Sequence, residues 1–302
     1  MKLELFVEEM RKRLEAELRI CKISPIDIYK NNGVVLKGIK ITKEGCLVSP
    51  TIYLENYYKR YELGESMNEL VADIVTYYQY SENKQPMNVE KYSVFELVKD
   101  RIVYKLINYE KNKKLLEETP FIPFLDLAIV FYYICENSFQ SQSTILIKNN
   151  HLHIWKQTKE IIFEIAVKNT PKLLKVSIKG MQSVIKEMLV QEEFDANLIE
   201  QMEMNKQQED MYVLTNQNGI FGAACILYHK VLESFSNKIR RDFYILPSSI
   251  HEVILVPKKE KMESSRLKKM VEEVNESEVL EEEILSNNVY YYSFQNQKFT
   301  IA

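Results

Sequence analysis

The chain of 302 residues is short of glycine and proline, with 7 Gly and 8 Pro. Average usage of about 7% and 5% would give roughly 21 and 15. Dinucleotide and triphosphate sites need glycines so that the backbone can approach a phosphate and turn sharply. The shortage therefore argues against a glycine-loop nucleotide site, and it also excludes Gly-rich linkers and Pro-rich tails.

Sequence signatures of common enzymes are missing as well. Gly33 and Gly38 have the spacing of a Walker A loop, but Ile39-Lys40 follows instead of Lys-Ser or Lys-Thr. The chain has no GxGxxG and no GxSxG. His251-Glu252 begins like HExxH, but position 255 is Leu. We therefore expect no cofactor.

Cysteine is scarce and scattered, without CxxC spacing; the four are Cys21, Cys46, Cys135 and Cys225. Each lies in an apolar pattern, which is typical of free thiols in a reducing compartment. The N-terminus does not resemble a signal peptide. The most apolar stretch, 121–135, contains Pro123 and Asp126 and is too short to span a bilayer. These features predict a cytoplasmic protein without a membrane partner.

Neither sign of charge dominates, since 40 Lys+Arg face 43 Asp+Glu for a formal net charge of −3. No global basic field exists to attract nucleic acid. Two local basic clusters remain, at 57–61 (Tyr-Tyr-Lys-Arg-Tyr) and 238–241 (Lys-Ile-Arg-Arg). Helical spacing would split both between faces, and acidic residues lie beside them, so nucleic acid is a disfavoured partner.

The hydrophobic pattern predicts an α+β fold with mixed or antiparallel sheets, packed amphipathic helices and two subdomains. Residues 1–85 are expected to form an N-terminal subdomain, and the polar stretch 81–91 is the best linker candidate. Its predicted elements are a helix over 3–21, a β-meander in 26–29, 34–41 and 46–52, and helices within 53–80 with a Ser66/Glu69 capping box.

Residues 86–302 are expected to form the C-terminal α+β domain. Residues 101–108 favour a strand slightly, with helix as the alternative. Further strands are predicted at 125–135, 143–148, 211–216, 243–246, 250–256, 289–292 and 298–301. Helices are predicted at 158–169 and 181–191, along 221–239, and around Leu267–Val274.

The candidate binding surface combines two polar turns, 216–218 (Asn-Gln-Asn) and 247–249 (Pro-Ser-Ser), which flank a predicted strand–helix–strand unit. If the two strands run parallel, these turns fall at the same sheet edge, where ligands often bind. The candidate binding residues are Asn216, Asn218, Ser248, Ser249 and His251.

Two catalytic alternatives remain open. Ser249 or Ser248 could act as a nucleophile with His251, if 250–256 is a strand that places Ser249 and His251 on one face. Glu252 would then point away from the imidazole, and a Pro-Ser-Ser turn is the simpler interpretation. His151 and His153, alternating with Trp155 in a predicted strand, are weak candidates for a metal site that would need another ligand.

The C-terminal third carries a resemblance to a family. The segments 211–216 (MYVLTN), 222–227 (GAACIL) and above all 246–253 (LPSSIHEV) resemble an uncharacterised bacterial family catalogued as a domain of unknown function. The central 106–112 (LINYEKN) and 288–291 (NVYY) are similar to it too. The resemblance implies a cytoplasmic α+β protein from a Gram-positive bacterium, and it transfers no catalytic residues.

We therefore expect a non-enzymatic, cytoplasmic interaction or ligand-binding protein whose partner is an unknown protein or small ligand. The abundance of Lys, Ile, Asn and Tyr also suits an AT-rich genome and a link to mobile elements or phage. The alternatives are a hydrolase or transferase that uses the residues above, and a protein that binds nucleic acid or a defence-system partner.

Overall fold

The structure, a computed structural model, describes residues 1–43, 51–82, 92–135, 144–191, 211–247 and 249–302. The chain divides into two compact units, Met1–Leu97 and Val98–Ala302. This division comes later in the chain than the boundary expected after residue 85. Most of the predicted linker, 83–91, lies outside the described residues.

The N-terminal unit combines helices with a three-stranded antiparallel sheet in the order β1-β2-β3. Its elements are α1 (Leu3–Glu17), β1 (Cys21–Tyr29), β2 (Val35–Lys43), β3 (Thr51–Tyr53), α2 (Glu55–Glu62) and α3 (Met67–Glu82). A short α4 (Phe95–Val98) crosses the division between the units. The predicted meander is confirmed, although 44–50 lie outside the described residues.

One apolar core holds the N-terminal unit together. The helix expected over 3–21 ends at Glu17, because the chain enters β1 at Cys21. Its Met10 and Leu14 are buried and pack with residues of the sheet and of α3. Ser66 and Glu69 form the predicted capping box: Glu69 accepts from the Ser66 N–H at 3.0 Å, and the Ser66 hydroxyl accepts from the Glu69 N–H at 3.3 Å.

The first sheet of the C-terminal unit is built around β6 (Leu127–Ile134), whose side chains are all buried. It is antiparallel, and β4 (Ile102–Asn108), β5 (Phe121–Phe124) and β7 (Thr144–Leu146) pair with β6. The strand prediction for 101–108 is thereby confirmed. The helices α5 (Lys113–Glu117), α6 (Asn149–Trp155) and α7 (Lys159–Leu173) accompany this sheet in the chain.

The second sheet is antiparallel and six-stranded, in the order β13-β12-β10-β11-β9-β8. Its strands are β8 (Val176–Gly180), β9 (Tyr212–Asn216), β10 (Phe243–Leu246), β11 (Val253–Pro257), β12 (Tyr290–Ser293) and β13 (Lys298–Ile301). Between them come α8 (Met181–Gln191), α9 (Val231–Ile239) and α10 (Ser264–Ser277). The described part of the chain is therefore α+β, as predicted, with antiparallel pairing in its three sheets.

Helix α9 covers one face of this sheet. Its Phe235 packs edge-on against Tyr212 of β9 and Phe243 of β10, with ring centroids 5.0 Å apart in both pairs. Phe243 in turn stacks on Tyr292 of β12 at 5.1 Å. Aromatic contacts thus hold α9 over the middle of the sheet, while β8 is the last strand on one side of it.

Three details of the predicted C-terminal unit were wrong. Residues 151–155 belong to helix α6 and not to a strand. The single helix expected over 221–239 is a 3-10 segment, Gly222–Leu227, followed by α9, because Lys230 has a left-handed backbone with φ of 62°. The strand expected from residue 250 begins only at Val253.

Candidate functional site

The two predicted polar turns do lie together in the structure. Both β9 and β10 are antiparallel to β11, which stands between them, so β9 and β10 run in the same direction. The loop after Asn216 and the turn after Leu246 are consequently at the same edge of the sheet. Ser248 lies outside the described residues, but Asn216, Asn218, Ser249 and His251 can be placed.

The polar atoms of Asn216 are used to shape its own loop. Its side-chain amide donates to the Ile220 carbonyl at 2.8 Å, and its side-chain oxygen accepts from the Asn218 N–H at 3.0 Å. The residue is buried, with 2% of its surface exposed. Asn216 therefore stabilises the turn by bonding the backbone, as Asn often does in such loops.

His251 closes the same loop from the other side. Its Nδ1 accepts a hydrogen bond from the Phe221 N–H at 3.2 Å, and its ring stacks on the Phe221 ring with centroids 5.6 Å apart. Because Nδ1 is an acceptor, the neutral ring carries its proton on Nε2, which lies 3.5 Å from Oε1 of Glu283. Phe221 has a left-handed backbone with φ of 55°, so the bond supports a strained residue.

Ser249 and His251 are not arranged as a nucleophile and its base. The Ser249 hydroxyl accepts from the His251 backbone N–H at 2.9 Å, which is the geometry of a turn. The two side chains share no hydrogen bond in the described structure, and both lie before β11 and not on a common strand face. The turn interpretation therefore explains these two residues without catalysis.

Gly222 fits tightly into the same cluster. A Cβ there would lie 2.1 Å from Oγ1 of Thr215 and 2.5 Å from the His251 carbonyl oxygen. The Thr215 hydroxyl itself donates to that carbonyl at 2.8 Å. The β9 end, the 3-10 segment and the turn before β11 are therefore packed backbone to backbone, as glycine alone allows.

His151 and His153 do not converge. Two residues apart on α6, they are separated by about 200° around the helix axis. His151 accepts from the Lys148 N–H through Nδ1 at 3.0 Å and so caps its own helix. Burial, with the nearby Lys148, lowers the pKa of His151. The described residues contain no group of three or more His, Cys, Asp and Glu placed to hold a metal ion.

The basic–aromatic segment 57–61 is engaged within the N-terminal unit. Its three tyrosines are partly buried against the core. Arg60 forms ion pairs with Glu65 at 2.5 Å and Asp73 at 2.6 Å. A cation already paired with two carboxylates attracts a phosphate weakly, so this segment does not favour nucleic-acid binding.

A groove with different properties lies where α9 stops short of β8. Its volume is about 320 Å³. Val176 and Ile178 of β8 are 38% and 37% exposed and form its apolar floor, together with the buried edge of Phe235. The residues that line it are Val176, Ile178, His229, Lys230, Val231, Ser234, Phe235 and Lys238.

Two hydrogen bonds hold the residues just before β8 beside the segment between β9 and α9. The Gln217 N–H donates to the Lys175 carbonyl at 2.8 Å, just before β8. The Tyr228 hydroxyl donates to the Leu174 carbonyl at 2.9 Å, and Tyr228 lies just before α9. Both bonds join the start of β8 to the segment that leads into α9. None of the predicted binding residues that the structure describes lines the groove.

The groove carries basic side chains without acidic partners. Lys230 and Lys238 are exposed and, with His229, form no ion pair to any carboxylate of the described residues. Some other lysines of the unit do form ion pairs, among them Lys179 with Glu187 at 2.6 Å and Lys148 with Glu118 at 2.9 Å. Unpaired cations beside an apolar floor favour a ligand that is both apolar and anionic.

Sequence reasoning missed this groove because it missed β8. The signal was present: Lys175-Val-Ser-Ile-Lys179 alternates apolar and polar residues, which is the pattern of a half-buried strand. Ser234 and Lys238 also have the i, i+4 spacing of one helical face, and Lys230 lies four residues before Ser234. Neither pattern is conspicuous, since the strand has five residues.

Together the fold and the groove describe an α+β protein with a cationic, apolar cleft at the edge of an antiparallel sheet. A family of unknown function, DUF5688, matches residues 3–293, so the chain belongs to that family. No curated protein and no solved structure matches the chain. Within the described residues, no helix is both long enough and apolar enough to cross a bilayer.

Proposed function

We propose that this chain is a non-enzymatic interaction protein of the bacterial cytoplasm and that the groove between β8 and α9 is its binding surface. The observation that carries the proposal is the combination of an exposed apolar floor with three basic residues that lack acidic partners. The floor supplies affinity through burial of apolar surface, and the cations select an anionic partner.

A binding role is favoured over a hydrolase or transferase because the best nucleophile candidate is engaged in structure. Ser249 and the Nδ1 atom of His251 both accept backbone N–H groups. A general base needs a free nitrogen within reach of the nucleophile. The groove itself is lined by Ser234 and by basic and apolar side chains, a set better suited to recognition than to bond cleavage.

The cytoplasmic part of the proposal is supported by the cysteines. Cys21, Cys135 and Cys225 are free thiols in the structure. Free, partly or fully buried thiols are characteristic of proteins in reducing compartments. Fractionation of the native host, followed by immunodetection of the protein, tests this part directly, and recovery from the extracellular fraction would contradict it.

The binding surface can be tested with anilinonaphthalene sulfonate, a dye that is apolar and anionic. We expect its fluorescence to rise with the intact protein and the double variant Lys230→Glu/Lys238→Glu to bind it at least about tenfold more weakly, because two attractive contacts become repulsive. Lys268→Glu/Lys269→Glu on α10 is the matched control, with the same change of net charge at exposed positions. Equal binding by the two double variants would refute the proposed surface.

A further inference from the structure

We infer that the partner is an extended polypeptide segment that pairs with the free edge of β8 and directs carboxylate side chains at Lys230 and Lys238. This inference rests on the proposed function, since it specifies the ligand of the same groove. It adds the backbone of β8 to the recognition surface. Strand addition of this kind obtains affinity from main-chain hydrogen bonds and specificity from alternate side chains.

The first support is the position of β8. It ends the order of the six-stranded sheet and pairs with β9 alone among the described strands. The backbone groups of Val176–Gly180 have no further hydrogen-bond partner in the described part of the chain, so alternate N–H and C=O groups of β8 point outward. The edge of β8 is short and carries Lys179, which limits unspecific pairing, but β8 contains no proline that would remove a backbone donor.

The second support is a match of lengths. Lys230 immediately precedes α9 and Lys238 lies eight residues later, in its last turn, which corresponds to about 12 Å along the helix axis. In an extended peptide, residues four apart project from the same face and are separated by about 13 Å. Two acidic residues at i and i+4 can therefore reach both lysines, while the residue between them lies over Val176 and Ile178.

The third support separates a peptide from a single-stranded nucleic acid. Binding of single strands usually relies on exposed aromatic rings on which bases stack. The aromatic side chain that lines the groove, Phe235, is 3% exposed because Tyr212 and Phe243 cover it. The exposed floor is aliphatic, and only a polypeptide offers the alternating donors and acceptors that match a strand edge.

The probe is a labelled nine-residue peptide with glutamate at its third and seventh positions, valine at the fifth and threonine elsewhere. Fluorescence anisotropy with the full chain should show saturable binding. Moving the second glutamate to the sixth position places it on the opposite face of the strand and should weaken binding at least about fivefold. Lys230→Glu/Lys238→Glu should weaken binding of the original peptide at least about tenfold, and Lys268→Glu/Lys269→Glu should leave it unchanged.

Backbone pairing is tested with two N-methylated forms of the peptide. In an extended strand, successive N–H groups point to opposite edges, so one form is methylated at the N–H groups of one edge and the second form at those of the other edge. One form should lose at least about tenfold in affinity, because its methyl groups remove the N–H donors that face β8, while the other form should bind normally. Outward-facing amides of Val176–Gly180 should also gain protection from hydrogen exchange when the unmodified peptide is bound.

Two results would overturn the inference and leave the dye experiment to decide the proposed function separately. If both N-methylated forms bind as well as the parent peptide, or if the parent peptide does not bind, strand addition is wrong even where the groove retains the anionic dye. If a labelled oligothymidylate binds, if Lys230→Glu/Lys238→Glu abolishes that binding, and if the peptide does not bind, the partner is a nucleic acid. If the dye binds equally to Lys230→Glu/Lys238→Glu and to Lys268→Glu/Lys269→Glu, both proposals are wrong.

Discussion

Replacement of Gly222 by Ala tests the backbone packing that joins β9, the 3-10 segment and the turn before β11. The added Cβ would lie 2.1 Å from Oγ1 of Thr215, 2.5 Å from the His251 carbonyl oxygen and 2.7 Å from the Asn216 nitrogen. Ordinary carbon contacts are near 3.5–4.0 Å, and two of the three atoms belong to the backbone. Relief therefore requires movement of the chain and not only of a side chain.

The expected loss combines two effects. Overpacking of a dense region costs about 1–3 kcal/mol. Movement of the turn also breaks the bond from the Thr215 hydroxyl to the His251 carbonyl and the bond from the Phe221 N–H to the His251 ring, each worth about 1 kcal/mol. We expect Gly222→Ala to lower the free energy of unfolding by about 3–5 kcal/mol, a large part of a typical stability.

The matched control is Gly219→Ala in the same loop. Gly219 has φ of +66°, but a Cβ there would meet nothing within 4 Å. Its replacement introduces backbone strain alone, which costs about 1 kcal/mol. The pair therefore separates steric overlap from backbone conformation.

Urea unfolding followed by tryptophan fluorescence measures both variants in the relevant unit. Trp155 is the chain's single tryptophan, is buried and belongs to the C-terminal unit. Its emission thus reports on that unit without interference from the N-terminal one. A Gly222→Ala loss no larger than that of Gly219→Ala would refute the packing argument, as would retention of wild-type stability by both.

Three further outcomes are expected. Asp126→Asn should destabilise the C-terminal unit by about 1–3 kcal/mol in the same urea assay, because the carboxylate accepts from Ser286, Asn288 and Tyr290 and an amide would oppose one of these donors. Burial raises the pKa of Cys225 to about 12, so this thiol should resist a disulfide reagent near pH 8 until urea unfolds the chain. Burial raises the pKa of Asp242, but hydrogen bonds from Tyr291 and the Phe294 N–H, with Lys258 nearby, outweigh it and hold that pKa below its usual value. The stability due to Asp242 should therefore be present above about pH 4 and be lost on acidification, and Asp242→Asn should flatten the acid limb of a stability–pH profile.

The types of most elements were predictable from local patterns. Apolar residues in 3–17 recur at steps of three and four, so only a helix buries them on one face. The short apolar run of β6 is buried as a central strand. Residues 151–155 were predicted as a strand because ring-bearing side chains alternate with aliphatic ones there. The segment is helical because of contacts that its own pattern does not show. His151 caps the helix and the buried Trp155 anchors it.

The predicted binding residues show why composition at turns identifies a location more readily than a role. Asn, Ser and His near a sheet edge are the residues that bind ligands, but they are also the residues that satisfy irregular backbone. Asn216, Ser249 and His251 do the second in this chain. Lys230, which precedes α9, and Lys238 within it differ because their ammonium groups form no ion pair within the described residues, so their charges have no structural task there. A polar group that the fold does not use is stronger evidence for a partner than a polar group at a loop, and recognising it requires knowing which neighbours the fold supplies.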